Sequence, residues 1–145
     1  MDLPCTISFL LITVVCSSFV IAQERGEEFM VKAKECQKKF EISDEIYQYV
    51  LKTMQTMDEN NASQRCLVEC LLTAEGFMNN EKLDTEKIVE QTKKESEKVG
   101  LKLNENTLRT TINDCKKLGG EGKCSASYNS WKCFFIMMMK SLPYA

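Results

Sequence analysis

The sequence predicts an all-α fold, a compact bundle of about six helices cross-linked by three disulfides. Three observations carry that reading. Apolar residues recur at helical steps of three and four along most of the chain. Alternating β-branched runs bounded by hairpin turns are lacking, and the two prolines, Pro4 and Pro143, stand near the two ends. Of the eight cysteines, six remain once an apolar leader is set aside, an even number that an oxidising compartment would pair into three bridges.

The leader is the stretch from Ile7 to Ile21, nearly all apolar or small and ending in Val20-Ile21-Ala22, the pattern a signal peptidase cleaves. Cleavage is expected after Ala22, which divides the chain into a signal peptide (1–22) and one helical domain (23–145). An uncleaved anchor is the competing reading, but a spanning helix wants about 20 consecutive apolar residues. Loss of the leader removes Cys5, Cys16 and Asp2, leaving 19 basic and 20 acidic residues. That balance, without a Lys/Arg run, argues against nucleic acid as a partner.

In chain order, Phe29, Ala33, Cys36 and Phe40 form the apolar stripe of a first helix. Ser43 caps the second, with Asp44 and Glu45 against the positive end of its dipole; it is expected to reach about Met57 and to bury Ile46, Val50, Met54 and Met57. A polar run over 58–63 breaks the pattern. The third helix carries Cys66, Leu67, Cys70, Leu71 and Ala74 and ends at Gly76. Asp84 caps the fourth, Leu83 and Ile88 are spaced as a hydrophobic staple, and beyond Val89 the helix is polar until Val99 and Gly100, so most of it should face solvent. Asn104 or Asn106 opens the fifth, whose inner positions are Leu108, Ile112, Cys115 and Leu118, with Gly119-Gly120 as its stop. The last helix is the most apolar: Cys124, Tyr128, Trp131, Phe135, Met138 and Leu142 make one stripe, widened by Cys133, Phe134 and Met137.

Cys66 and Cys70 lie four residues apart on one helical face, an arrangement that orients their thiols badly for bonding each other. Each must therefore reach elsewhere, to Cys36 on one side or to Cys115, Cys124 and Cys133 on the other, which makes the third helix a hub. Six cysteines allow fifteen pairings in all, and the hub removes only those that join Cys66 to Cys70. The intervals between the mature cysteines are 29, 3, 44, 8 and 8 residues. In an all-helical secreted chain this spacing, with Tyr128 four residues after the fifth mature cysteine, resembles the insect odorant-binding proteins, the pheromone and general-odorant binders, over the whole mature chain. The resemblance implies the interlocked pairs Cys36 with Cys70, Cys66 with Cys124 and Cys115 with Cys133. It also implies helices arranged around an apolar cavity and a secreted carrier of small hydrophobic, odorant-like ligands.

Residue chemistry narrows the alternatives. The chain has no histidine, so neither a Ser-His-Asp or Cys-His catalytic arrangement nor a His-bearing zinc hydrolase site can be built. Cys66 and Cys70 lack a second closely spaced pair for zinc and sit one residue too far apart for a redox motif. Glu69 and Asp114 read as solvated helix faces rather than catalytic carboxylates. The protein is therefore expected not to be an enzyme and to need no cofactor or metal. Seven methionines remain after the leader, three of them consecutive beside Phe134 and Phe135. Composition alone favours plain core packing for them; the resemblance shifts the balance to a cavity, which adaptable Met side chains suit. The expected lining is Met54, Met57, Leu71, Phe77, Met78, Ile88, Leu108, Ile112, Trp131, Phe135 and Met138, with Tyr128 and Tyr144 as polar contacts. A membrane receptor is a further expected partner, and the chain would act as a monomer or homodimer. The alternative is a secreted signalling or effector protein that uses the same scaffold to bind a protein.

Two further features stand apart from the carrier reading. Asn61-Ala62-Ser63 is at once a glycosylation sequon and a plausible helix cap. Without histidine, acid-driven release would need carboxylates or movement of the tail 141–145, so affinity is expected to change little between about pH 7 and 5.5.

Overall fold

A computed structural model describes residues 26–141. The leader and the tail residues Leu142 and Tyr144 lie outside the described residues. Six helices follow in order: α1 (Glu27–Lys39), α2 (Asp44–Thr53), α3 (Ala62–Glu75), α4 (Thr85–Lys98), α5 (Glu105–Cys115) and α6 (Ser125–Ser141). A two-stranded hairpin, β1 (Met78–Asn79) with β2 (Lys82–Leu83), sits between α3 and α4.

The starts of four helices are written in short polar side chains. Ser43 Oγ accepts from Ile46 N at 3.4 Å, Asn61 Oδ1 from Gln64 N at 3.1 Å, Asp84 Oδ1 from Lys87 N at 3.0 Å and Asn104 Oδ1 from Thr107 N at 3.1 Å. Each satisfies one of the amides a helix start leaves without an intrahelical partner. Asn104, not Asn106, therefore opens α5. At the far end of α3, Gly76 takes φ +83° and Phe77 N reaches back to Leu72 O at 2.9 Å, the left-handed stop that glycine adopts without a Cβ penalty.

α3 is the centre of the packing, lying against α1, α2, β1 and α6, while α4 packs on α5 and α5 on α6. Its two cysteines carry the bracing: Cys70 bonds Cys36 of α1, and Cys66 bonds Cys124, the residue just before α6. The third bridge joins Cys115, the last residue of α5, to Cys133 in α6. The Cα separations are 5.9, 5.1 and 5.5 Å, all within the normal span of a disulfide. The pairing is the one the resemblance implies, and the hub is where the Cys66/Cys70 spacing places it.

Three expectations change. α2 stops at Thr53, because Met54 turns left-handed at φ +53°, and its buried residues are Tyr47 and Val50, with Ile46 only partly buried. α5 ends at Cys115 rather than at Gly119-Gly120, since the chain must double back to bring Cys124 to Cys66; Leu118 is consequently 45 % exposed. Gly120 serves another purpose: a Cβ there would lie 2.7 Å from Ser125 Cβ, so its bare backbone permits the close passage into α6. The hairpin was not expected, and it forms because Asn80 and Glu81 both take positive φ, +49° and +61°, as a two-residue turn of this hand demands. It points Met78 and Leu83, 2 % and 1 % exposed, into the core.

Candidate functional site

The inner face of α6 organises the interior. Tyr128, Trp131 and Phe134 are buried there, with the Trp131 ring 5.8 Å from Phe134 and 6.2 Å from Phe135, tilted against both. Each polar aromatic atom has a partner in the connection between α2 and α3. Trp131 Nε1 donates to Met54 O at 2.8 Å, and Tyr128 Oη lies 3.0 Å from Thr56 Oγ1 and accepts from Thr56 N at 3.4 Å. Two aromatic residues thus clasp a connection more than seventy residues away in sequence.

The same connection is held from its other end. Gln64 Oε1 accepts from Met57 N at 2.9 Å and Asp58 N at 3.0 Å, and Arg65 Nη1 donates to Glu59 O at 2.6 Å. Lys132 pairs with Glu59 at 2.6 Å, and this hydrogen bond holds its ammonium pKa above the ordinary lysine value against a smaller opposing effect of burial.

One hydrophobic cluster contains most of the expected lining. Met54, Leu71, Met78, Ile88, Leu108, Ile112, Tyr128 and Trp131 are buried in it, while Phe77, Phe135 and Met138 are partly buried against it. Residues from α2, α3, α4, α5, α6 and the hairpin therefore meet in one interior, crossed by the three sulfur bridges. The profile of the PBP/GOBP family matches residues 21–136. The chain belongs to the PBP/GOBP family. No match was found among curated proteins or among solved structures.

Within this PBP/GOBP chain, one expected lining residue falls elsewhere. Met57 is 52 % exposed, because α2 ends four residues before it and Gln64 holds its backbone at the mouth of α3 instead of letting it continue the buried stripe. Tyr144 lies outside the described residues. Sequence periodicity also missed contributors. Tyr47 is fully buried and Thr56 is 7 % exposed. Ser127 and Ser130 are buried as well, and Ser130 Oγ donates to Ala126 O at 2.9 Å. The serines stand one residue before Tyr128 and Trp131, and Ser127 shares a helical face with Trp131 four residues on, whereas Thr56 carried no local signal. Glu69 is not simply solvated: half-buried on α3, it accepts a short hydrogen bond from Ser127 Oγ.

A surface concavity of the PBP/GOBP fold is polar and open. This cleft of about 720 Å³ lies between the hairpin tip, the start of α4 and one face of α5, with Leu83 as its one apolar lining residue. Its charges are largely spent on one another. Arg109 makes a bidentate pair with Glu86, with Nη2 3.1 Å from Oε2, and also reaches Glu105 at 2.9 Å. The hydrogen bond from Arg109 holds the Glu86 carboxyl below its ordinary pKa, and the two carboxylates push the guanidinium pKa up. Lys116 Nζ donates to Thr85 Oγ1 at 3.2 Å, and Thr85 Oγ1 to Asn113 Oδ1 at 3.3 Å. The network ties α4 to α5. Among the described residues, no group of three His, Cys, Asp or Glu side chains could hold a metal ion, and no helix is long and apolar enough to cross a membrane.

Proposed function

We propose that this protein is a secreted carrier that takes a small, poorly water-soluble organic molecule into its apolar interior and moves it through aqueous fluid. The observation that carries the reading is membership of the PBP/GOBP family over most of the chain. The interior supports it, being rich in methionine and aromatic side chains and braced by three bridges. Residues 1–22 would be removed on secretion, so that the mature chain begins at Gln23.

Binding is driven by desolvation, at roughly 25 cal/mol per Å² of apolar ligand surface removed from water. For a molecule of about a dozen carbons this is enough for micromolar affinity, provided the helices do not have to be reordered first. Sulfur bridges meet that condition by fixing α1, α3, α5 and α6 relative to one another before ligand arrives. Met54, Met78 and Met138 adapt by changing rotamer, while the Tyr128–Thr56 pair offers a polar group to the ligand's head.

Trp131 provides the assay. It is the chain's one tryptophan, 8 % exposed, and it stands among the proposed lining residues. Its fluorescence should shift or quench saturably as a phenylnaphthylamine probe binds, and long-chain alcohols, aldehydes or esters should displace that probe. No uptake by delipidated, oxidised protein would overturn the carrier reading.

Ile136, Met137 and Met139, between 40 % and 55 % exposed on α6, favour a second reading in which the scaffold engages a receptor or another protein partner. Saturable binding of ligand-free protein to receptor-bearing membranes would distinguish it.

A further inference from the structure

We propose that Asn61 carries an N-linked glycan while continuing to cap α3. The inference rests on the secretory part of the reading above and concerns a site the carrier mechanism does not use. Asn61-Ala62-Ser63 is the chain's single Asn-x-Ser/Thr sequence, and its middle residue is not proline.

The structure reconciles two uses of this side chain that compete in the sequence. Capping occupies the oxygen, since Asn61 Oδ1 accepts from Gln64 N at 3.1 Å. Glycosylation uses the nitrogen, and Nδ2 is left to solvent on an exposed residue with extended backbone, φ −80° and ψ 110°. The transferred sugar comes from a lipid-linked oligosaccharide. A bond forms from Nδ2 to the anomeric carbon, the bond from that carbon to the lipid pyrophosphate breaks, the pyrophosphate leaves with the electron pair and the amide gives up one proton. The product is still an amide with a carbonyl oxygen, so the acceptor for Gln64 N survives the reaction.

Space and timing fit as well. Met57, Asp58, Glu59, Asn60 and Ser63 are all exposed, leaving room for a sugar beside the first turn of α3. Cys66 would pin that turn, but its partner Cys124 lies 58 residues further on, so this bridge cannot close until the chain through α5 and on to Cys124 has been delivered. The sequon is free of that constraint when it first enters the oxidising compartment.

The full chain, with its own leader, should be expressed in cultured eukaryotic secretory cells, and medium and cell fractions compared by intact mass and peptide mapping before and after peptide N-glycosidase. Secreted protein should carry a mass increment at Asn61 that the enzyme removes, leaving an aspartate at that position. Ser63→Ala should abolish the increment with the cap intact. Asn61→Asp should do the same while keeping an oxygen for Gln64 N, and both variants should still be secreted. Secreted wild-type protein with an unmodified Asn61 overturns the proposal and leaves the carrier reading standing. Protein retained in the cytosol, unmodified and with residues 1–22 attached, overturns the glycan and the secretory reading together. An increment that survives Ser63→Ala places the modification elsewhere and also overturns the proposal.

Discussion

Removing the bridges one at a time tests the bracing directly. The three rings close over separations of 58, 34 and 18 residues, for Cys66–Cys124, Cys36–Cys70 and Cys115–Cys133. Loop-closure entropy in the unfolded chain makes these worth about 4.2, 3.8 and 3.2 kcal/mol respectively. The rings overlap without shortening one another. A path from Cys66 to Cys124 can cross the Cys115–Cys133 bond, but the eight residues between Cys115 and Cys124 equal the eight between Cys124 and Cys133, so the detour saves nothing. Packing losses nearly cancel in the comparison, because each bridge joins one buried cysteine, Cys66, Cys36 or Cys115, to one partly buried cysteine. Paired Cys→Ala variants, kept oxidised at the remaining bridges, should be unfolded in urea. The free energies rather than the midpoints should be compared, because a less cross-linked unfolded chain exposes more surface and steepens the transition. The Cys66/Cys124 variant should be the least stable and the Cys115/Cys133 variant the most stable. The reverse order, or a loss below about 1 kcal/mol for Cys66/Cys124, would refute the view that the hub stabilises by restricting the unfolded chain.

Four smaller tests follow from the site. Tyr128→Phe strips the partner from the buried Thr56 amide and hydroxyl and should cost about 1–3 kcal/mol by chemical denaturation; no measurable loss would show that the clasp is incidental. Glu86 has a folded-state pKa below its unfolded value, so its contribution is present above the ordinary carboxylate pKa and is lost as pH falls through the depressed one; Arg109→Gln should raise that pKa in a carboxyl NMR titration. Probe affinity should change less than about tenfold between pH 7 and 5.5 in a fluorescence titration, since the chain has no histidine and the resolved shifts carry Glu28 and Glu86 down and Arg109 and Lys132 up, away from that interval. Met57→Gln should alter stability by no more than about 0.5 kcal/mol and leave probe affinity unchanged, a direct check that this residue does not line the site.

What could be read from the sequence was local. Ser43, Asp84 and Asn104 announce helix starts because a cap is a contact between residues three apart, and Gly76 announces an end because only its own backbone has to turn left-handed. The polar outer face of α4 was equally plain, since nothing distant can rescue so many charged side chains for burial. The disulfide pairing was not local in this sense. Of the fifteen arrangements the residues excluded only those joining Cys66 to Cys70, and the choice among the rest came from the family's spacing pattern.

Met57, misplaced, and Thr56, missed, share one cause, the connection between α2 and α3. Helical periodicity carries an apolar stripe from Val50 through Met54 to Met57, and by that rule alone α2 should have run on. It stops because distant partners offer Met54 and Thr56 something better than another helical turn: the indole of Trp131 for one carbonyl, and the hydroxyl of Tyr128 for a buried amide. Positive φ at a non-glycine residue costs of order 1–3 kcal/mol, so Met54 holds that conformation only where surrounding contacts over-determine it. Those contacts come from the same helix face that presents the aromatic side chains to the interior. A ligand that moved Trp131 or Tyr128 would loosen the clasp on this connection, and a change at the connection would be felt at the rings. Local rules therefore fail at the place where the chain departs from its own periodicity to bring two distant segments into one proposed site.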